Sequence, residues 1–225
     1  MLVHDLRSPL NSILGTLDMA YRMIDERADT GEVLDMLKVT ISSAQGMLRM
    51  VESLLEINRL EGGQALNLQP VSVRDVASRA FEAVDGLARQ GNLTLVLDVE
   101  PGVPLAVADQ DVLQRVLVNL LDNALRYTPD GGEVRVEVRT SGCEVEVCVI
   151  DSGAGIQAGA HERIFEKFAR DVRPALRGHA GTGLGLAFCR RALDALGGRI
   201  WAEDGPKGGA MLAFTLPADP EANML

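Results

Sequence analysis

The chain has 225 residues, 47% of them hydrophobic, and carries 32 acidic against 22 basic side chains for a net charge of −10. That length suits one large domain or two small ones, and the acidic balance sets nucleic acid and anionic membrane aside as partners. No apolar run approaches the roughly 20 residues that cross a bilayer, no signal peptide opens the chain, and three cysteines and three histidines without metal spacing point to a reducing, cytoplasmic setting and away from a His-based metal site.

Residues 2–27 read as a helix, because Leu6, Leu10, Ile13, Leu14, Leu17, Ala20 and Ile24 recur at helical spacing. Pro9 sits inside this pattern. Its ring removes one backbone hydrogen bond and crowds the preceding turn, which predicts a local kink one turn after His4. Residues 28–31 read as a tight connection. A second helix is expected over residues 32–60, with a stripe through Leu34, Leu37, Ile41, Ala44, Leu48, Val51 and Leu55. Two helices joined by a short turn make an antiparallel hairpin. A hairpin of this size has too little core to bury both stripes. A second copy would supply the missing surface and give a dimeric four-helix bundle; packing on the rest of the same chain is the alternative.

Glu61-Gly62-Gly63-Gln64 reads as a linker that divides an all-helical part, residues 1–64, from a mixed part, residues 65–225. Residues 66–68 form a short strand candidate ending at Pro70. Ser72 caps a helix that runs to residue 90 and stops at Gly91-Asn92. A strand with alternating Leu93, Leu95, Leu97 and Val99 follows. Asp109 then caps a helix running to residue 127. One side of it carries Val112, Leu113, Val116, Leu117, Leu120, Leu121 and Leu125 as a core stripe. Another side lines up Asn119, Asn123, Arg126 and Tyr127, which share a face at three-, four-, seven- and eight-residue separations. A solvated polar face is the plain reading, although such faces usually carry Glu and Lys in place of paired Asn; the pattern alone leaves both readings open.

Residues 133–138 and 144–150 alternate strictly, Val134, Val136 and Val138 being answered by Val145, Val147 and Val149. This predicts an antiparallel hairpin with one buried face. Its second strand ends in Asp151-Ser152-Gly153-Ala154-Gly155-Ile156. An acid at a strand end followed by alternating glycines allows close backbone approach to a ligand, although on this stretch alone a plain Gly-rich turn is the favoured reading. Residues 161–168 read as a short helix with Phe165 and Phe168 as aromatic anchors, and the polar residues 169–180, with Arg170, Arg173, Arg177 and His179, as a mobile lid. Gly181-Thr182-Gly183-Leu184-Gly185-Leu186 opens a helix that ends at Gly197-Gly198. Glycines at a helix start expose backbone N–H groups to an anion, which suits phosphates. Residues 199–203 and 210–216 close the sheet as a hairpin, and the residues from 217 on read as a frayed end.

Together these residues resemble the catalytic core of a sensor histidine kinase. His4-Asp5-Leu6-Arg7-Ser8-Pro9 resembles its H box, Asn119-Leu120-Leu121-Asp122-Asn123-Ala124 its N box, and Asp151-Ser152-Gly153-Ala154-Gly155 its G1 box. Phe165-Glu166-Lys167-Phe168 resembles the F box and Gly181-Thr182-Gly183-Leu184-Gly185-Leu186 the G2 box. The match keeps the family's order and spacing over nearly the whole chain. It implies an α plus α/β architecture: a dimerisation and phosphoacceptor hairpin over residues 1–64, then an ATP-binding α/β sandwich of the gyrase, Hsp90 and MutL type (the Bergerat fold) over residues 65–225. In that sandwich a mixed, largely antiparallel sheet carries helices on one face.

The resemblance also implies roles. Asp151 would accept a hydrogen bond from the adenine amino group, and Asn123 would offer its amide oxygen to Mg²⁺, a hard cation that takes oxygen ligands. Asn119 would support that metal site. Arg126 and Tyr127 match positions near the nucleotide, Arg170 would meet the γ-phosphate, and the amides around Gly181, Gly183 and Gly185 would hold the phosphate chain. Gly153, Gly155, Ile156, Phe168, Thr182 and Leu184 complete the implied ATP set. Phosphoryl transfer needs mainly charge neutralisation and alignment, which this set would supply. His4 would attack the γ-phosphate through a neutral ring nitrogen while Asp5 orients the ring and takes its proton.

The phosphoryl group would pass to an aspartate on the receiver domain of a response regulator. No receiver-like segment is present, so that partner is expected on a separate chain or outside these residues. Ser8 stands where many relatives have Thr or Asn, which bears on dephosphorylation of the regulator. The chain starts three residues before His4, whereas relatives enter this helix from an upstream sensor or signalling helix; a sensor domain absent from this chain is therefore expected. Two other readings compete. A catalytically silent dimeric scaffold would have no need of His4, Asp5, Asn123, Asp151 and the glycines. A conformational ATPase would leave the His4 helix without purpose, and Asp122 precedes Asn123 where a water-activating Glu would be sought.

Overall fold

The computed structural model describes residues 2–25, 30–63, 65–169, 176, 183–206 and 208–220, with the side chains of residues 2–9, 25 and 49 outside that description. The chain divides into two compact units, Met1–Leu55 and Glu56–Leu225.

The first unit is helical. Helix α1 (Leu2–Asp25) continues through Pro9, and α2 (Thr30–Glu61) follows it, its last residues belonging to the second unit. Thr30 and Gly31 are helical, not part of the connection as expected, and Glu32 falls in the first turn, where a negative charge is favoured by the helix dipole. Ala20, Val33, Thr40 and Met50 are buried. The buried Thr40 hydroxyl donates to the Met36 carbonyl at 2.9 Å, so its burial leaves no unpaired donor. Leu10, Leu14, Leu17, Leu34, Ile41 and Leu48 are exposed in the single chain. Much of the expected apolar stripe on each helix is therefore without cover there.

The second unit runs β1 (Gln69–Val71), α3 (Val73–Gln90), β2 (Thr94–Val99), β3 (Ala106–Ala108), α4 (Gln110–Tyr127), β4 (Glu133–Ser141) and β5 (Glu144–Asp151). A 3-10 turn (Arg163–Phe165), α5 (Gly185–Ala195), β6 (Arg199–Asp204) and β7 (Ala210–Pro217) complete it. Five strands form one sheet in the order β2-β4-β5-β7-β6. Only the β2–β4 pair is parallel; β4–β5, β5–β7 and β6–β7 are antiparallel. The sheet is thus mixed and largely antiparallel, as expected. Strands β1 and β3 pair separately, with Pro70 opposite Val107.

The sheet has one apolar face because alternate residues point the same way. Val134, Val136 and Val138 of β4, Val145, Val147 and Val149 of β5, and Leu212, Phe214 and Leu216 of β7 are all buried. Helices α3, α4 and α5 cover that face. Helix α4 buries Leu113, Val116, Leu117, Leu120, Leu121 and Leu125, and α5 buries Ala187, Phe188, Cys189, Ala192 and Leu193. Caps fix where two helices begin. The Ser72 hydroxyl accepts from the Asp75 N–H at 3.3 Å. The Asp109 carboxylate accepts from the N–H groups of Asp111 and Val112 at 3.1 and 3.3 Å, and its other oxygen takes the Asn67 N–H at 3.0 Å.

Three expectations are corrected. The first strand lies at Gln69–Val71, not at residues 66–68, and contains Pro70; a proline, lacking an N–H, is tolerated in a short edge pairing. Strand β3 was not foreseen, since three residues are too few to show alternation and pairing with β1 creates it. The helix expected over residues 161–168 is a single 3-10 turn. It stops because Glu166 is already extended, at ψ 148°, and Phe168 takes a φ of +66°.

Candidate functional site

Helix α4 carries the polar row foreseen from spacing. Asn119, Asn123, Arg126 and Tyr127 are all half-buried, beside its fully buried leucines. The Arg126 guanidinium Nε donates to the Asp122 carboxylate at 2.7 Å, an i,i+4 ion pair on the same helix. Arg126 is thus held by Asp122 within its own helix. At the end of α4 the Thr128 hydroxyl donates to the Ala124 carbonyl at 2.8 Å.

The centre of the site is Asp151, the last residue of β5, which is 7% exposed. Its Oδ1 accepts from the Gly153 N–H at 2.8 Å and the Ala210 N–H at 3.1 Å. Two backbone donors on one oxygen fix the orientation of the carboxylate. The surrounding glycines are required by close approach. A Cβ on Gly209 would overlap the Asp151 carbonyl oxygen, and one on Gly153 would sit 2.8 Å from Asp151 Oδ1. Gly155 has a φ of +71°, and a Cβ there would lie 3.0 Å from the Gly208 carbonyl. The loop after β5 and the turn between β6 and β7 therefore form one glycine-walled cradle around a fixed carboxylate. Ile156 is half-buried in that loop.

Helix α5 supplies the second part. At its amino end Leu184 makes no capping hydrogen bond with its own side chain, and no acid stands in the first turn. The N–H groups of such a turn are the donors that a phosphate satisfies. Leu184 itself is fully buried, anchoring the helix start. Gly185 lies beside α4, where a Cβ would come 3.3 Å from Asn119 Oδ1. Gly183 has a φ of +70°, and a Cβ there would meet the Phe168 backbone at 2.8 Å. The Phe168 N–H donates to the Gly183 carbonyl at 2.8 Å, so the F-box and G2-box stretches are joined main chain to main chain. Nearby, the Leu176 N–H donates to the Arg126 carbonyl at 2.9 Å.

The expected residues thus fall into three groups. Asn119, Phe168, Gly183, Leu184 and Gly185 are brought together around the start of α5, with Asn123, Arg126 and Tyr127 further along the same α4 row. Asp151, Gly153, Gly155 and Ile156 form the cradle; Gly153 meets the Tyr127 carbonyl. Arg170, Gly181 and Thr182 lie outside the described residues, as does most of the expected lid. His4, Asp5 and Ser8 lie in the first turns of α1, with their side chains outside the described residues.

Three contributors escaped the sequence reading: Gly208, Gly209 and Ala210, which read there only as a turn and the start of a strand. The signal was the paired glycine directly before β7. The β5–β7 register runs to Ile150 opposite Met211, and one step further it sets Asp151 against Ala210. The cysteines take no part. Burial first, and then the Glu146 and Glu137 carboxylates, push the Cys148 thiol up to about 12, and burial pushes the Cys189 thiol further still. Both are core or sheet residues.

Residues 1–63 match the family model described as His Kinase A (phospho-acceptor) domain. Residues 108–220 match the one described as Histidine kinase-, DNA gyrase B-, and HSP90-like ATPase. The chain is 33% identical over 96% of its length to the adaptive-response sensory kinase SasA of Crocosphaera subtropica, of which it spans 58%. It is 34% identical over 96% of its length to the hybrid signal transduction histidine kinase D of Dictyostelium discoideum, of which it spans 14%. The chain therefore spans little more than half, or less, of these curated relatives. Among solved structures it is similar to full-length ShkA in complex with AMPPNP, with a TM-score of 0.69 and 28% identity over 96% of this chain and 44% of that one.

Proposed function

The chain belongs to the histidine kinases, and on that footing we propose that it binds ATP in the α4–β5–α5 site, phosphorylates His4, and passes the phosphoryl group to an aspartate of a response regulator. The observation that carries the nucleotide part is Asp151: a buried carboxylate held on one oxygen by two main-chain N–H groups inside a glycine cradle. Such a group is an acceptor for an exocyclic amine, which adenine has and guanine's six-position lacks. The AMPPNP complex of the similar ShkA supports an adenine nucleotide here.

Each remaining role follows from chemistry available at the site. The backbone N–H groups at the amino end of α5, together with those around Gly181, Thr182, Gly183 and Gly185, would bind the phosphate chain. Asn123 would coordinate Mg²⁺ through its amide oxygen, supported by Asn119, and the bound cation would neutralise charge on the phosphates. Arg126, Tyr127 and Arg170 would stand near the nucleotide, Arg170 at the γ-phosphate. The unprotonated ring nitrogen of His4 would form the new N–P bond as the bond from the γ-phosphorus to the bridging oxygen breaks and ADP leaves. Asp5 would orient the imidazole and take its remaining proton. The product is a labile phosphoimidazole, suited to onward transfer, and the Ser8 hydroxyl would bear on hydrolysis of the phosphorylated regulator. We place the dimer interface on the helical hairpin and a sensor segment upstream of it, within a cytoplasmic part of the parent protein.

The test is incubation with γ-labelled ATP and Mg²⁺. Label that is lost in acid, kept in base and absent from His4→Gln is expected. Label at the wild-type level in His4→Gln would remove His4 as acceptor; nucleotide binding without any label would favour the silent scaffold.

A further inference from the structure

Beside the nucleotide residues lies a cavity of about 500 Å³ lined by Phe165, Glu166, Lys167, Ala187, Arg190 and Arg191. Three cations in one place are unusual for a chain of net charge −10, and here each has a carboxylate partner. Lys167 Nζ donates to Glu61 Oε1 at 2.9 Å, and Arg191 Nε lies 3.2 Å from the same oxygen. Arg190 Nη1 lies 3.3 Å from Glu162 Oε2, with its guanidinium carbon 5.8 Å from the centroid of the Phe165 ring. Glu61, Lys167 and Arg191 all belong to the second compact unit.

The positions of the two partners of Glu61 matter more than their charge. Lys167 directly precedes Phe168, which has a φ of +66° and is bonded to Gly183. Arg191 is on α5, six residues and so roughly 9 Å along the axis from Gly185. One carboxylate oxygen therefore ties the stretch that leads into the F box to the helix that the G2 glycines open. We propose that Glu61 is a positioning residue for the nucleotide: its bridge between Lys167 and Arg191 fixes α5 against the F-box stretch and so sets where the amino end of α5 stands beside Asn119. A helix of 11 residues moves as a rod, so a restraint in its second half fixes its first turn. Donors must be aligned with the phosphates to within a fraction of an ångström to bind well. The hydrogen bond from Lys167, and then the charges of Lys167 and Arg191, hold the Glu61 carboxyl below its ordinary range, so the bridging form is the ionised one. The three side chains are between 34% and 52% exposed, and water therefore limits the effect to a modest one.

This inference rests on the nucleotide reading above, and its test has one arm that needs no nucleotide. In the nucleotide-free chain, the Phe188 N–H, bonded to the Leu184 carbonyl at 2.8 Å, should exchange with solvent severalfold faster in Glu61→Gln than in wild type. With AMPPNP at low salt, Glu61→Gln should raise Kd roughly three- to tenfold, the range expected for two exposed ion pairs. The gap should close at about 1 M salt, where the Debye length is about 3 Å. Reversing all three charges (Glu61→Lys with Lys167→Glu and Arg191→Glu) should restore both quantities, while the melting temperature of Glu61→Gln falls by no more than a few degrees. Arg191→Met provides a second, independent break. Unchanged exchange at Phe188, or faster exchange with unchanged Kd, overturns the proposal. Should the wild type bind no AMPPNP, the nucleotide reading falls and with it the assignment of Glu61 to nucleotide positioning, whatever the exchange arm shows.

Discussion

At the scale of single residues, Asp151 is the position where geometry and proposed chemistry meet. Its Oδ1 is already committed to Gly153 and Ala210, so any selectivity for adenine rests on the charge and on the rest of the carboxylate. Asp151→Asn keeps the shape and removes the charge. A hydrogen bond to a charged group is worth about 1.5–3 kcal/mol. Calorimetric titration of Asp151→Asn with AMPPNP should therefore show affinity falling roughly 10- to 100-fold, with the circular dichroism spectrum retained. Affinity within twofold of wild type would take Asp151 out of the adenine site. Part of this residue's role was legible from sequence, because an acid at a strand end before alternating glycines is a local pattern. Its second donor was not, since Ala210 is 59 residues away and no short-range pattern connects the two.

At the scale of elements, α4 shows how one helix serves core and site together. Its leucines make the apolar stripe against the sheet and its amides make the polar row, and the period of 3.6 residues separates the two faces. Leu120, fully buried, lies directly after Asn119. Leu120→Ala should cost about 2–5 kcal/mol of stability, a loss of transfer energy plus a cavity, measurable as a shifted midpoint in urea denaturation at unchanged slope. A cost under 0.5 kcal/mol would mean that the neighbourhood collapses freely, contrary to the packing around α4. Helix α4 was legible because it is long, strongly periodic and capped by Asp109. Strand β3 was not, and β1 was expected a few residues too early, since three residues carry no period and it is chiefly their mutual pairing that makes them strands. The 3-10 turn Arg163–Phe165 was overcalled as a helix because its aromatic spacing fits one, while the positive φ at Phe168 is set by its bond to Gly183.

At the scale of the molecule, the first unit leaves the apolar stripes of its two helices uncovered in the single chain. Leu14 is 56% exposed and Leu48 59%. A second copy is the proposed cover, since two hairpins together make a four-helix core that one cannot. Sedimentation equilibrium should give about twice the chain mass of 24.1 kDa. Leu14→Lys combined with Leu48→Lys should shift the population to monomer; a wild type that is monomeric at tens of micromolar would remove the hairpin as a dimer interface.

Sequence by itself determined the two helical stripes, the strand hairpins and the order of the five boxes, and through them the family. All of these are written in neighbouring residues, as a period, a cap or a glycine run. Only the tertiary structure decided that Asp151 shares its oxygen with Ala210, that Gly183 meets Phe168, and that Glu61 reaches Lys167 across 106 residues of chain. These pairings are set by how the sheet registers and how α5 lies on it. That is a balance of packing over the whole unit, and no stretch of sequence carries it alone.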